Sequence, residues 1–301
     1  MLRLPNLLMI VVTYYLTRQL VFVPIYEHYN VSLRLDAVFF GFMTLATVLI
    51  AAAGYLSNDY FDIEADMVNK PEKMYIGNLV SPRSVFSIAL LLSGISMAIA
   101  IWISIHQHSL MAVGLLLLAL GVTWWYAKVL KRSFIWGNVA VACMSAGTIA
   151  MAWLIEMQGT GLPKEGVITI GNIVITISLF AFLLSLMREI VKDVEDMEGD
   201  RLIGCRSLPI VKGVRFTKAI VFVLLGVTLV LLAATQYKLS IQSRLLAAIW
   251  LFVAVDLPLV YFAFKLENAR LKADFHSISS LLKWVMLGGM CSLIAGQVAC
   301  G

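Results

Sequence analysis

Two octapeptides hold most of the chain's aspartate: Asp59-x-x-Asp62-x-x-x-Asp66 and Asp193-x-x-Asp196-x-x-x-Asp200 use six of its nine aspartates in one repeated spacing. On a helix, offsets of three and seven place the three carboxylates of each motif on one stripe about 60° wide. Like charges at that spacing repel, so each stripe calls for a cation. Magnesium suits it: a hard ion that takes oxygen ligands, keeps several waters, and is shared between carboxylates and substrate phosphates. An EF-hand calcium loop does not fit, because neither segment has its alternating acids and central glycine. The expected metal ligands are therefore Asp59, Asp62, Asp66, Asp193, Asp196 and Asp200. The basic residues around them, Lys70, Lys73, Lys131, Lys192 and Arg206 with Arg132, Arg188 and Arg201, suit an anion held between two magnesium ions.

The elements that must position these motifs are membrane spans. Of 301 residues 61% are apolar and 14% charged, and the mean hydropathy of +0.91 lies outside the range of soluble domains. Runs of about twenty apolar residues predict nine helices near 7–26, 37–57, 84–105, 109–127, 134–155, 167–187, 217–235, 245–264 and 280–299. The first reads as a span rather than a removable leader, since no small-residue cleavage site follows it. With the N-terminus inside, eighteen lysines and arginines fall on the cytoplasmic side, including Arg188 and Lys283, against four on the other. That bias predicts an N-in, C-out topology. The net charge of +5 thus reflects orientation and not a nucleic-acid partner.

The acidic motifs follow spans two and six. Four spans lie between them, so both emerge on one face, as a parallel repeat of two four-helix units would require, with the ninth helix closing an all-α bundle around a central cavity. No linker or low-complexity tract interrupts residues 1–301, which read as a single domain. Cys143, Cys205, Cys291 and Cys300 lack metal-ligand spacing and read as reduced thiols. Arg18 and Asp256 fall inside spans, where ionisable groups are rare. Arg18 is expected to meet an anionic group or to snorkel toward the far face, and Asp256, two residues before Pro258, to satisfy backbone groups freed at a kink.

Two other classes are weighed against an enzyme. A secondary transporter would hold its acids near the bilayer midplane at broken helices, whereas these sit at span ends. A scaffold would leave the duplicated spacing without a cause.

The pair Asn58-Asp59-x-x-Asp62-x-x-x-Asp66 and Lys192-Asp193-x-x-Asp196-x-x-Gly199-Asp200 resembles the UbiA superfamily of intramembrane prenyltransferases. So do Asn69-Lys70-Pro71, Tyr126 to Lys131, Gly137-Asn138 and Arg206-Ser207-Leu208-Pro209, which extend the likeness over nearly the whole chain. Many members continue Asn-Lys-Pro with x-Arg-Pro; here Glu72-Lys73-Met74 stands instead, a point charge in place of a bidentate fork. The resemblance implies magnesium-dependent transfer of a prenyl group from a polyprenyl diphosphate to a lipophilic acceptor, with the active site facing the cytoplasm at the cell membrane. It also implies that Asn58 and the cations hold the diphosphate, and that Tyr126 could face the allylic cation, a contact worth about 1–2 kcal/mol. The Arg3-x-x-Asn6 opening and the Arg188 to Asp193 run are similar to proteins grouped with the geranylgeranylglyceryl-phosphate geranylgeranyltransferases. They point to that lipid as acceptor, with quinone precursors and tetrapyrroles as the alternative.

Overall fold

The structure is a computed structural model that describes residues 3–69, 71 and 76–298. Among these residues it is all helical, and nine helices are long and apolar enough to cross a membrane. The spans are α1 (Leu4–His28), α2 (Ala37–Phe61), α4 (Pro82–His106), α5 (Met111–Lys128), α6 (Trp136–Glu156), α7 (Lys164–Glu195), α9 (Leu208–Ile241), α10 (Leu245–Asn268) and α11 (Lys272–Val298). Two short helices, α3 (Ile63–Asn69) and α8 (Met197–Leu202), follow α2 and α7. All nine expected spans are present, but several run longer than their apolar windows. α7 continues through Lys192 to Glu195, so Arg188 belongs to a span and not to a connecting loop, and α11 begins at Lys272, so Lys283, counted with the cytoplasmic charges, lies well inside that span. A hydropathy window stops at polar residues, whereas the helix continues wherever those residues can face the interior of the bundle.

Spans α2, α4 and α5 pack together, α9 and α11 each pack against both α7 and α10, and α1 touches both α2 and α11. Small residues and hydroxyls allow close approach, with Ser96 Oγ donating to Ala46 O at 2.8 Å and Ala46, Ala89, Ala100 and Ala142 fully buried. Valine, leucine and aromatic side chains such as Leu91, Val223, Val230 and Phe264 stay exposed on the outside, where lipid replaces water as their solvent.

Polar groups gather at the end opposite the motifs. The buried Glu156 carboxylate accepts from the backbone N–H of Arg34 at 2.6 Å and of Leu35 at 3.2 Å, and the Arg34 guanidinium donates to the carbonyls of Gln107, at 2.7 Å, and Gln158. Arg18 joins this clamp, donating to Leu35 O at 3.4 Å with its guanidinium over the Phe40 ring, so it reaches toward the far face. Asp256 departs from expectation. It lies at the end of a π-helical turn, Phe252–Asp256, two residues before Pro258, and its Oδ2 accepts from the Gln236 side chain on α9 rather than from freed backbone. A matching π turn, Arg18–Phe22, precedes Pro24 in α1; in both cases the proline's missing N–H favours the local change of helical pitch.

Candidate functional site

Each acidic motif straddles a break between a long span and a short helix. Asp59 sits in the last turn of α2, Asp62 at the break and Asp66 in α3; Asp193, Asp196 and Asp200 occupy the same places in α7 and α8. The central aspartates have nearly identical backbones, φ −100° and ψ 6° for Asp62 and φ −94° and ψ 3° for Asp196, in the bridge region where helices turn. The stripe expected on a continuous helix is therefore bent at its middle residue. Ladder bonds end and restart at the central residue: Asp62 N donates to Asn58 O at 3.0 Å and Asp66 N to Asp62 O at 2.8 Å, and Asp196 N to Lys192 O at 2.9 Å and Asp200 N to Asp196 O at 3.1 Å. What looked like helix periodicity is a span end and a turn repeated twice.

The two short helices cross in direct contact, which brings both motifs together at one end of the bundle. Gly199 makes the crossing possible: a Cβ there would lie 2.5 Å from both Ala65 O and Asn69 Nδ2. Asn69 fastens it, donating to Asp196 O at 2.8 Å and accepting from Gly199 N–H at 2.9 Å. Two contacts from α11 add to this. Lys272 Nζ donates to Asn69 O at 2.7 Å, and His276 Nδ1 lies 2.8 Å from the buried Glu195 carboxylate.

Most of the carboxylates already have partners. Asn58 Nδ2 donates to Asp62 Oδ2 at 2.6 Å, and Lys131 forms an ion pair with the same oxygen. Asn138, at the start of α6, donates to Asp193 Oδ2 at 2.8 Å. Lys192 Nζ lies 3.7 Å from Asp196 and Arg3 Nη2 lies 3.6 Å from Asp59. Lys131 rides on a 3₁₀ turn, Leu130–Arg132, packed onto the start of α6. Gly137 permits that approach, since a Cβ there would stand 2.8 Å from Leu130 O. Burial disfavours the Lys131 ammonium, yet the Asp62 carboxylate beside it outweighs that cost and holds its pKa above the usual lysine value. Asp200 behaves oppositely: burial, with repulsion from Asp196 and Asp62, pushes it up to about 6 against the pull of Lys131.

Other expected residues are placed as follows. Tyr126 and Lys192 line the large cavity, and Arg206 is exposed, its backbone N–H bonded to Arg132 O at 3.0 Å. Lys70 and Lys73 lie outside the described residues. Sequence reasoning noted Asn69, Asn138, Gly137 and Gly199 as motif letters without assigning their contacts, and gave Lys272 and His276 no role. Contacts such as Asn69 to Gly199, 130 positions apart, and Lys272 to Asn69, 203 apart, have no local signature.

The cavity has a volume of about 1330 Å³, more than the ~300–1,000 Å³ of a typical small-molecule pocket. Asn58, Arg188 and Lys192 line it at the motif end, Ile173 and Ile177 line its shaft, and Lys238 and Arg244 line its far end. Among the described residues no three acidic, histidine or cysteine side chains converge closely enough to hold an ion by themselves.

Fold and site together define a helical membrane protein built to hold a long apolar chain whose anionic head meets twin acidic motifs. The chain belongs to the UbiA prenyltransferase family, whose sequence profile matches residues 29–287. A relative from Hyperthermus butylicus named digeranylgeranylglyceryl phosphate synthase is 30% identical over 262 residues, covering 84% of this chain and 83% of its own. A structure solved for work on digeranylgeranylglyceryl phosphate synthase in membranes superposes with a TM-score of 0.66 at 20% identity, covering 99% of this chain and 96% of that one. A UbiA homologue from Archaeoglobus fulgidus, bound to GPP and Mg2+, has a TM-score of 0.57 at 16% identity and covers 96% of this chain and 98% of its own.

Proposed function

We propose that this prenyltransferase moves a geranylgeranyl group from its diphosphate to the hydroxyl of geranylgeranylglyceryl phosphate, in a magnesium-dependent reaction at the motif end of the cavity. The observation that carries this reading is the α3–α8 crossing, which sets two carboxylate motifs side by side at the mouth of an apolar cavity. The name of the Hyperthermus butylicus relative supports the acceptor, and the GPP and Mg2+ bound by the Archaeoglobus fulgidus homologue support the donor class and the metal.

The donor set fits magnesium. Its atoms are hard oxygens, and the lack of a closed three-residue cluster among the described residues agrees with an ion that keeps water and shares phosphate ligands. Asp59, Asp62 and Asp66 would hold one ion and Asp193, Asp196 and Asp200 a second. Bound magnesium supplies compensation for the charge that builds on the departing diphosphate.

The chain's own groups do the rest. Asn58 and Asn138 orient Asp62 and Asp193. Lys131 and Lys192, beside the carboxylates, are placed to attract the diphosphate, as are Lys70, Lys73 and Arg206 by their position in the sequence. The C–O bond to the diphosphate breaks with its electron pair on oxygen. The acceptor oxygen then bonds to the allylic carbon and its proton is released. The apolar walls keep water from the carbocation, and Tyr126 presents its ring to it. The charge bias of the loops supports a cytoplasmic active site with the N-terminus inside; labelling of Arg201→Cys, at an exposed position, only in inside-out vesicles would accord with that, and labelling only in right-side-out vesicles would refute it.

The test is to incubate purified protein with labelled geranylgeranyl diphosphate, magnesium and a panel of acceptors, and to identify products by mass. The expected product is a digeranylgeranylglyceryl phosphate. Asp62→Asn and Asp196→Asn should each lower its formation by roughly 10²–10³-fold, the scale of losing a preorganised contact to a developing anion, with the melting temperature preserved. A quinone-type product would overturn the acceptor, and full activity in both variants would overturn the site.

A further inference from the structure

Lys283 lies eleven residues into α11, inside a membrane span, and lines the same cavity as Arg3, Arg188 and Lys192. Counting 1.5 Å per residue, it sits about 16 Å along the helix from Lys272, the residue that touches the motif helices. The other three cations each face a carboxylate: Arg3 faces Asp59, Arg188 pairs with Glu189, and Lys192 faces Asp196. Lys283 has no ion pair among the described residues, although it lies within electrostatic reach of Arg188, Arg3, Lys192 and Glu189. The Nε of Arg188 is also buried without a hydrogen-bond partner. Of these four cations Lys283 alone lacks an ion pair among the described residues, and an intramembrane lysine facing a cavity without a counter-ion points to an anionic ligand.

Arg188 is one helical turn, about 6 Å, before Lys192 on α7, on the side away from the motifs. A ligand held by Arg188 and Lys283 would thus lie beside the diphosphate site without occupying it. Neutral polar groups share the wall: Asn6 donates to Tyr55 OH at 3.1 Å, and Ser185 lies near Arg188 on the same helix. Such a setting suits a compact, doubly charged head with a hydroxyl neighbour and an apolar tail.

We propose that Lys283, with Arg188 and Arg3, forms a second anion site in the cavity that binds the phosphate monoester of the lipid acceptor, separately from the magnesium-bound diphosphate of the donor. This rests on the acceptor reading above. It makes Lys283 a determinant of acceptor specificity, because an acceptor without phosphate leaves its ammonium unpaired in a low-dielectric cavity.

The site is tested first without metal. In EDTA, which removes magnesium from the diphosphate site, the melting temperature of detergent-purified protein is measured with dodecyl phosphate and with dodecanol. The wild type should be stabilised by the phosphate more than by the alcohol. Lys283→Met and Lys283→Gln should lose that difference, and Lys283→Arg should keep it. No extra stabilisation in the wild type, or equal stabilisation in either neutral variant that melts as the wild type does without ligand, would overturn the site.

Kinetics then separates acceptor from donor. With geranylgeranyl diphosphate and a glycerol-phosphate lipid, Lys283→Met should raise the acceptor KM by about tenfold or more, the scale of one charge-assisted contact to phosphate, and leave the donor KM unchanged. A rise confined to the donor KM would assign Lys283 to the diphosphate and overturn the proposal. Wild-type protein that binds dodecyl phosphate through Lys283 yet transfers nothing to a glycerol-phosphate lipid would leave the anion site standing and overturn only the acceptor.

Discussion

At the residue scale, the site depends on how far each carboxylate is already compensated. Asp62 accepts from Asn58 and Lys131 and Asp193 accepts from Asn138, so neither is left as a bare buried charge. Outside the spans, Asp200 carries a raised pKa, pushed up to about 6 by burial and its acidic neighbours against the pull of Lys131. A raised carboxylate pKa means that the proton is bound below about pH 6, and a metal ligand must lose that proton first. Between pH 7.5 and 5.5 the ionised fraction of a group titrating near 6 falls by about fourfold. The apparent affinity for magnesium, or for manganese followed by its paramagnetic signal, should weaken by a similar factor over that interval, and the change should shrink in Asp200→Asn. An affinity that is flat with pH in the wild type would show that Asp200 does not bind the ion. Lys131→Met acts on the same network: without the ammonium, Asp62 keeps Asn58 as its side-chain partner among the described residues. Transfer should fall by roughly 10²-fold or more, as for loss of a cation that stabilises a developing anion, and a kcat within twofold of wild type would remove Lys131 from the site.

At the element scale, the two spans carrying motifs end in the same way and are then locked together by the short helices. The spans and the motif repeat could be read from the sequence because both are local signals: apolar runs of spanning length, and one spacing used twice. The bends at Asp62 and Asp196 could not, because a three-plus-four spacing fits a helix and a helix-turn-helix equally well. The extents of α7 and α11 were missed for a different reason. Arg188 and Lys192 lie past the apolar window of α7, yet line a cavity that exists only once eight of the spans have assembled around it. The α3–α8 crossing was hidden too, since it joins Asn69 to Gly199 across 130 positions. That crossing yields its own prediction. In Gly199→Ala the added methyl meets Ala65 O and Asn69, so the helices must separate, at a cost of about 1–3 kcal/mol for an overpacked contact. Melting should drop, and magnesium affinity should drop with it because the two motifs part. Ala65→Gly in the same chain, which leaves the close approach intact, should lower affinity much less. An unchanged affinity in Gly199→Ala would mean that the two motifs do not act as one site.

At the scale of the whole molecule, the cavity connects the motif end to the opposite face. Lys192 and Thr169 both line it from α7, and they are twenty-three residues apart, about 34 Å at 1.5 Å per residue, close to the ~30 Å thickness of the hydrocarbon core. A channel of that length and about 1330 Å³ has room for a long isoprenoid, and its shaft of Ile173, Ile177 and Phe180 offers such a chain apolar contact. If donor tails lie along α7, the depth open to them sets the chain length accepted. Ala181 lines the shaft eleven residues from Lys192, about 16 Å from the motif end, and replacing it with tryptophan would close the passage there. A geranyl tail should still fit in front of the block, whereas a geranylgeranyl tail would have to bend or displace a packed helix, which costs about 1–3 kcal/mol or more. Ala181→Trp should therefore lower kcat/KM for geranylgeranyl diphosphate by about tenfold or more while leaving that for geranyl diphosphate within about twofold. Equal losses for both donors would show that the substitution damages the site itself. No loss for either would place the tail elsewhere, against the lipid-facing surface and not inside the bundle.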